Sequence, residues 1–374
     1  MTGTGKTTLI KYIIASMGLA PDEVAYVSLT GKASEVLRKK DNPNATTAHK
    51  LLYYFHKNAD GTFTQKPKLR LDKHYEVIVV DEVSMLPKDM WNLLLSHNIF
   101  IIASGDPFQI PPIFKDQDNH VLDHPHVFLT EVMRQAKDSE IIRLSMGIRE
   151  GKYIPEHDGE QVKVIKPQDL TDGMLLWASS EEYSSQIICA TNRKCKEINE
   201  RVRMLKGLDG DPQPGDKMIS LGNHWNITSF GEDSPLTNGT MGWIRHAYVD
   251  NVHYPVKYRW FPKKVPIVRA NFESTDGESY GYIPMDKTFL ETGSKFLTPQ
   301  AESVLMRMKT LVNEVPLEFD YGSAISAHKA QGSEYSKVLV IEECFPFDRE
   351  EHLRHLYTSI TRASQKLVLV KNEW

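Results

Sequence analysis

Apolar residues along this chain fall into short solid runs separated by stretches of helical period. Val24 to Leu29, Glu76 to Val80, Ile99 to Ala103, Gln186 to Ala190, Lys337 to Ile341 and Lys366 to Lys371 each read as a strand buried on both faces. Between them the period changes. Leu9, Ile10, Ile13, Ile14 and Met17 share one helical face that ends at Gly18. Further helices are expected from Ala33 to about Lys40, from Thr46 or Thr47 through His49, Leu51 and Leu52, and from Pro87 to His97. Others follow from Asp138 to Glu150, from about Lys194 to Leu205, and from Arg349 to Thr361. Strand–helix alternation of this kind predicts α/β architecture, with parallel sheets covered by helices on both faces.

Two stretches break the alternation. Residues 53–75 are aromatic, then turn-like, then basic; Asp60-Gly61 between Phe55 and Phe63 signals a hairpin. Residues 57–73 carry five basic and two acidic side chains, a local charge of +3. From Gly215 to about Phe319 the texture becomes glycine- and aromatic-rich, with β-like runs such as Gly239 to Val249 and Val265 to Ala270. That texture predicts a small barrel inserted into the second α/β unit, with a more helical part from Asp286 to Asn313.

A length of 374 residues predicts two or more cores. No run is long and apolar enough to span a bilayer, and Lys11 interrupts the first apolar stretch, unlike a signal peptide. Cys189, Cys195 and Cys344 are too few and too scattered for a disulfide frame or a zinc site; reduced, buried thiols fit a cytosolic protein. The net charge of -4, from 45 basic and 49 acidic residues, gives no global positive field. Any nucleic acid must therefore be held by a local groove.

The chemistry begins at the first residues. Gly3, Thr4, Gly5, Lys6, Thr7 and Thr8 read as a loop whose bare amides wrap a triphosphate at a helix start. Lys6 reaches the outer phosphates, and the Thr7 hydroxyl can ligate Mg2+. The competing reading is a glycine-rich helix cap. Asp81 and Glu82 end a solid apolar strand, where carboxylates are costly without a task. With a phosphate loop upstream, Asp81 can hold Mg2+ through water and Glu82 can polarise an attacking water; solvated loop acids are the alternative. Gln109 closes Gly105-Asp-Pro-Phe-Gln109 after the next strand, at the sheet edge where ligands of open α/β sheets bind. It can sense the γ-phosphate, or simply end a tight turn. Arg134 and Arg362 are candidates for stabilising phosphoryl transfer. Arg362, on the second core, would act only when two cores close on one nucleotide; otherwise it completes a helix dipole.

Eight stretches in order resemble superfamily 1 helicases of the 1B branch, the RecD-like group. They are Gly3-Thr-Gly-Lys-Thr7, Leu29-Thr-Gly-Lys-Ala33, Ala45-Thr-Thr-Ala-His49, Val80-Asp-Glu-Val-Ser84, Gly105-Asp-Pro-Phe-Gln109, Leu129-Thr-Glu-Val-Met-Arg134, Ser326-Ala-His-Lys-Ala-Gln-Gly332 and Tyr357-Thr-Ser-Ile-Thr-Arg362. The resemblance spans essentially the whole chain. It implies two RecA-like parallel-sheet domains, with a β-hairpin pin inserted in the first and a small SH3-like β-barrel in the second. The first domain would be residues 1–151 with the pin at 53–75; the second, residues 152–215 and 319–374 with the barrel at 216–318. It further implies an ATP- and Mg2+-dependent monomeric motor moving 5′ to 3′ on single-stranded DNA, unwinding a duplex fork, with a single-strand-binding protein or replisome and recombination proteins as partners. Thr30, Lys32, Thr47, His49, His328 and Lys329 would grip the DNA backbone, and Gln331 and Gly332 would couple DNA to nucleotide. Phe63 would be the pin's aromatic tip, unless it packs on a neighbouring domain.

The family has a strand and a further glycine ahead of the phosphate loop. Their lack here predicts an open place in the sheet beside the strands of Val24 and Val77, weak nucleotide binding, and a truncated product or misplaced start. The alternatives are a single-stranded-DNA-binding remnant without turnover and a RecD-type subunit of a larger complex. In the barrel, residues 254–269 carry Lys257, Arg259, Lys263, Lys264 and Arg269 with Tyr258, Trp260 and Phe261 and no acid. That mixture suits a nucleic-acid strand, or a solvated basic face over core aromatics.

Overall fold

The computed structural model describes residues 5–29, 33–34, 37–38, 42, 44–57, 63–111, 118–129, 139–152, 154–181, 184–230, 235–256, 258–308, 314–343 and 348–372, without the side chains of residues 7, 55–57, 63–65, 225–226 and 306. The chain forms two units. One comprises Met1–Tyr53, Pro67–Cys195 and Ala324–Trp374; the other, Tyr54–Lys66 and Lys196–Ser323.

The first unit holds two largely parallel sheets. In the first sheet the strands run in the order Ala45–Thr47, Val24–Ser28, Val77–Val80, Phe100–Ala103, all parallel. Their solid apolar runs divide between two faces, as period-two geometry requires. Val24, Val77 and Val79 turn toward Ile10 and Ile14 of the Lys6–Met17 helix. Ala25, Val27, Ile78 and Val80 turn the other way, beneath the Ala48–Leu52 and Lys88–Leu95 helices.

Two expectations are corrected here. The strands of Val24 and Val77 pair directly, Val24 opposite Val77 and Val27 opposite Val80, and each has a neighbour on both sides. The edges of this sheet among the described residues are instead Ala45–Thr47 and Phe100–Ala103, and Phe100 is 61% exposed. The apolar face of the first helix is also narrower than its period suggests. Ile10 is buried, but Leu9, Ile13 and Met17 are exposed. The sheet covers only the flank that carries Ile10 and Ile14; Gly18 ends the helix in the left-handed region, with φ 68°.

The second sheet runs Ala324–Ser326, Ser185–Cys189, Tyr335–Ile341, Ala363–Val370, Val162–Ile165, His157–Asp158, parallel except for the last short pair. The Arg349–Ile360 and Glu140–Arg149 helices pack on each other and on the Ala363–Val370 strand. Their starts are fixed by side-chain caps: Asp348 accepts from the Glu351 amide, and Ser139 from that of Ile142. Such caps contribute about 1 kcal/mol each. Cys189 and Cys195 are buried free thiols, as expected; Cys344 lies outside the described residues.

The second unit contains most of the expected hairpin, Tyr53–Lys57 paired with Phe63–Pro67, although its ends, Tyr53 and Pro67, group with the first unit. It also contains an antiparallel sheet in the order Ser279–Asp286, Lys264–Ser274, Met241–His253, Lys217–Ser220, Phe319–Tyr321. Its two edges meet at Leu317, whose amide donates to the Pro284 carbonyl (2.7 Å) while its own carbonyl accepts from the Asp286 amide (2.8 Å). The sheet thus closes into a small barrel around Met218, Ile244, Phe272, Tyr280, Met285 and Phe319. At Gly242 a Cβ would stand 2.0 Å from the Glu273 carbonyl oxygen, so only glycine admits this strand contact. The helical stretch resolves into Lys287–Thr292 and Pro299–Arg307.

Candidate nucleotide site

Strand ends of the first sheet deliver the candidate residues to one edge. Gly5 precedes the Lys6–Met17 helix in the left-handed region, φ 75°, a conformation that glycine adopts without steric cost. Lys6 Nζ donates to the Gly105 carbonyl (3.3 Å), reaching the loop after the Phe100–Ala103 strand. Asp81 follows the Val77–Val80 strand, where its Oδ1 accepts from the Ser104 hydroxyl (2.8 Å) and the Glu82 amide (3.0 Å). Glu82 sits at φ 52°, an uncommon place for a side chain with a Cβ and the kind of strain found at functional sites. Gln109 Nε2 donates to Glu82 Oε1 (3.4 Å).

Two acceptors in this cluster are buried without a partner among the described residues, Glu82 Oε2 and Gln109 Oε1. Such atoms are rare in folded proteins and mark places where water or a ligand belongs. Neither Lys6 nor Arg362 pairs with a carboxylate among the described residues. Two cations without a carboxylate salt bridge and two acceptors without a partner among the described residues, one of them on a carboxylate, suit a polyphosphate, a metal ion and a water.

The loop from Gly105 to Ile110 is bonded to the second core. Tyr357 Oη donates to Asp106 Oδ2 (2.7 Å). The Ile110 amide donates to Thr358 Oγ1 (3.0 Å), and the Ile110 carbonyl accepts from Gln331 Nε2 (3.0 Å). Burial of Asp106 opposes its ionisation. Nearby positive charge, that of Lys6 included, and the Tyr357 and Phe108 hydrogen bonds outweigh it and hold the carboxyl below its ordinary value. Gly332, φ 72°, comes within ordinary packing distance of Ala33: a Cβ there would lie 3.4 Å from the Ala33 Cβ.

Arg362 is buried at the end of the helix that carries Tyr357 and Thr358. Its guanidinium donates to the Thr358 carbonyl (3.1 Å), the Ser333 carbonyl (3.4 Å) and Thr361 Oγ1 (3.3 Å), all in the second core. It is therefore neither on the outer surface nor in direct contact with Lys6.

The candidate DNA residues stand apart from this cluster. Thr47 caps the Ala48–Leu52 helix, accepting from the Lys50 amide (3.2 Å), so its hydroxyl has a structural role. His49 is half-buried against the Tyr53 ring, and burial lowers its pKa. His328 lies edge-on to His355, with ring centroids 6.0 Å apart, and burial lowers its pKa also. Lys329 is on the same short helix, Ala327–Ala330. Thr8 is exposed. Gly3, Thr4, Thr30, Lys32 and Arg134 lie outside the described residues, as do the side chains of Thr7 and Phe63.

Several contributors carry no sequence expectation. Ser104, Asp106, Tyr357 and Thr358 lie in or beside the motif stretches without an assigned task. The helical neighbourhood of Tyr357 and Thr358 to Arg362 was their only signal. Arg149 had none, because an arginine in a last helical turn reads as a dipole partner. Its guanidinium carbon stands 3.7 Å from the Phe108 ring centroid and 5.8 Å from that of Phe128. Phe108 in turn meets Tyr357 edge-on at 6.4 Å.

The fold and the comparisons together define a P-loop protein with two RecA-like sheets. Residues 1–168 match the AAA domain family, and residues 321–370 match the UvrD-like helicase C-terminal domain. The chain is 24% identical over 380 residues to the ATP-dependent RecD2 DNA helicase of Deinococcus radiodurans, covering 97% of this chain and 45% of that protein. It is 29% identical over 224 residues to the ATP-dependent DNA helicase dda of Enterobacteria phage T4, covering 54% of this chain and 50% of that one. The chain thus spans about half the length of these curated relatives. The Pif1 helicase structure from Candida albicans superposes with a TM-score of 0.51 at 19% identity, over 99% of this chain and 89% of that one, a likeness of fold. The chain is thus similar to ATP-dependent DNA helicases across both of its RecA-like sheets.

Proposed function

We propose that this chain is an ATP-driven motor that moves 5′ to 3′ on single-stranded DNA and opens a duplex fork. The observation that carries this reading is the bonding of the Gly105–Ile110 loop to the helix that ends in Arg362. Asp106 holds Tyr357, and Ile110 is held by both Thr358 and Gln331. A change at Gln109 on hydrolysis would thus bear directly on the second core, which is how nucleotide turnover becomes relative motion.

The donor set fits Mg-ATP. The Gly3–Thr8 loop and Lys6 would hold the phosphates, and Thr7 with Asp81 would hold Mg2+, which when bound neutralises charge on the phosphate oxygens. Glu82 would take the proton of the attacking water, and Gln109, within 3.4 Å of it, would orient that water. Arg362, released from its carbonyl partners, and Arg134 would stabilise charge on the transferring phosphoryl group. Thr30, Lys32, Thr47, His49, His328 and Lys329 form the proposed DNA track. The division into residues 1–151, 152–215 with 319–374, and an SH3-like insertion at 216–318 goes with it, as do the 53–75 pin with Phe63 at its tip and a monomeric working form.

A strand-displacement assay tests this reading with 5′-tailed and 3′-tailed duplexes. Displacement of the 5′-tailed duplex alone, dependent on Mg-ATP, is expected. Displacement of only the 3′-tailed duplex would refute the polarity, and none on either would refute the motor.

A further inference from the structure

The arm formed by Met241–His253 and Lys264–Ser274 ends in a loop of unusual composition. The two strands stay paired up to His253 opposite Lys264. Beyond that pair the loop is anchored from below. Tyr254 and Phe261 are buried, with rings edge-to-face at 5.7 Å. The Tyr254 hydroxyl donates to the Glu314 carbonyl (2.6 Å), its amide donates to the Lys263 carbonyl (3.0 Å), and the Phe261 amide donates to the Tyr258 carbonyl (3.1 Å). Val252, Val256, Val265 and Leu305 complete the base.

Held this way, the loop turns two other rings outward. Tyr258 and Trp260 are 57% and 54% exposed, yet they stack on each other with centroids 5.8 Å apart and planes 16° from parallel. Two large aromatics kept in water in a shared stack are costly unless something covers them. Their cationic neighbours are equally uncommitted. Arg259, Lys263 and Lys264 are exposed and make no ion pair among the described residues. Arg269, by contrast, is tied to Asp250 (2.9 Å) and Glu314 (2.5 Å) and drops out of the surface. Residues 254–269 contain no acid.

We propose that Tyr258 and Trp260, flanked by Arg259, Lys263 and Lys264, form a stacking platform for single-stranded nucleic acid. An outward π-face accepts a base without regard to its identity, and the three cations meet the phosphates on either side. The ligand class rests on the DNA-motor reading; the location is an additional binding site on the barrel.

Photocrosslinking of the full chain to iodouracil-substituted oligothymidylate, read by peptide mass spectrometry, should place adducts at Tyr258 or Trp260. By fluorescence anisotropy, the Tyr258→Ala/Trp260→Ala double variant should bind oligothymidylate about tenfold or more weakly, and the corresponding double Phe variant should regain most of the affinity. Lys263→Ala/Lys264→Ala should lower the slope of log affinity against log salt by about 1. Wild-type binding with adducts only elsewhere and undiminished affinity in the double Ala variant overturns the platform and leaves the motor reading standing. Sensitivity to the lysines with none to the rings overturns it equally, because a purely charged surface needs no stack. Failure of the wild-type chain to bind oligothymidylate at all overturns both.

Discussion

The hydroxyl of Tyr357 donates to the carboxylate of Asp106 at 2.7 Å, joining positions 251 residues apart. One partner precedes Gln109 by three positions, and the other precedes Arg362 by five. The bond therefore links the loop that would sense the γ-phosphate to the helix that would bring in the arginine.

Tyr357→Phe should cost about 1.5–3 kcal/mol at neutral pH, because the bond is charge-assisted and the carboxylate is buried. The sign with pH follows from Asp106, whose folded pKa is depressed. Its contribution is present above the unfolded carboxylate value and is lost as pH falls through the folded one. Removing the hydroxyl raises the folded value, while the unfolded carboxyl is the same in both chains, so the penalty of Tyr357→Phe should shrink only as pH falls through the folded values, below the ordinary carboxylate range. Urea unfolding midpoints from pH 7 down to 3 measure this. A penalty independent of pH would mean that the hydroxyl does not act through the carboxylate.

Glu82 and Gln109 each leave one buried oxygen without a partner among the described residues. Glu82→Gln should lower ATP turnover by about 10²–10⁴-fold, the usual worth of a general base, while nucleotide binding persists. Gln109→Ala should lower kcat more than it raises KM. Steady-state phosphate release together with binding of a fluorescent ATP analogue separates the two effects.

Arg149 stacks on Phe108 with a planar guanidinium, and its Nη1 is buried without a hydrogen bond among the described residues. Arg149→Ala should cost about 1–2 kcal/mol and loosen the Gly105–Ile110 loop. Arg149→Lys should not restore it, because an ammonium cannot stack flat on a ring. Hydrogen exchange of the Phe108 and Ile110 amides reports the loosening directly.

His355 is buried beside His328 and His352. Burial first, and those neighbouring charges second, push its pKa down to about 4 from 6.5. It is neutral when folded, so its stabilising contribution is complete above pH 6.5 and falls away as pH drops toward 4. The full loss is on the order of 3 kcal/mol. His355→Asn should flatten the stability curve over that window, and thermal melts at pH 7 and 4.5 compare the two chains.

Much of this structure was legible in the sequence, because solid apolar runs and cap residues act locally. The strands of Val24, Val77, Ser185 and Tyr335, and the stop at Gly18, came out within a residue or two. What period cannot show is what covers a face. Leu9 and Ile13 share the stripe of Ile10 but meet no sheet. Strand order was also hidden, so the sheet's edges fell at Ala45–Thr47 and Phe100–Ala103 while the strands of Val24 and Val77 lie inside. Ion pairs formed in space were invisible too: Arg269 read as part of a basic surface and is instead neutralised by Asp250 and Glu314. The bonds of Asp106 to Tyr357 and of Ile110 to Thr358 needed the folded chain.

The central proposition is that Lys6 and Arg362 serve one nucleotide from two cores. Phosphate release from Mg-ATP, with and without single-stranded DNA, tests it most directly in the wild-type chain, Lys6→Ala and Arg362→Ala, with nucleotide binding measured alongside. Expected is DNA-stimulated release in the wild type, loss of both binding and release in Lys6→Ala, and in Arg362→Ala a fall of about 10³-fold or more in release with nucleotide still bound. Release by Arg362→Ala at the wild-type rate would contradict it.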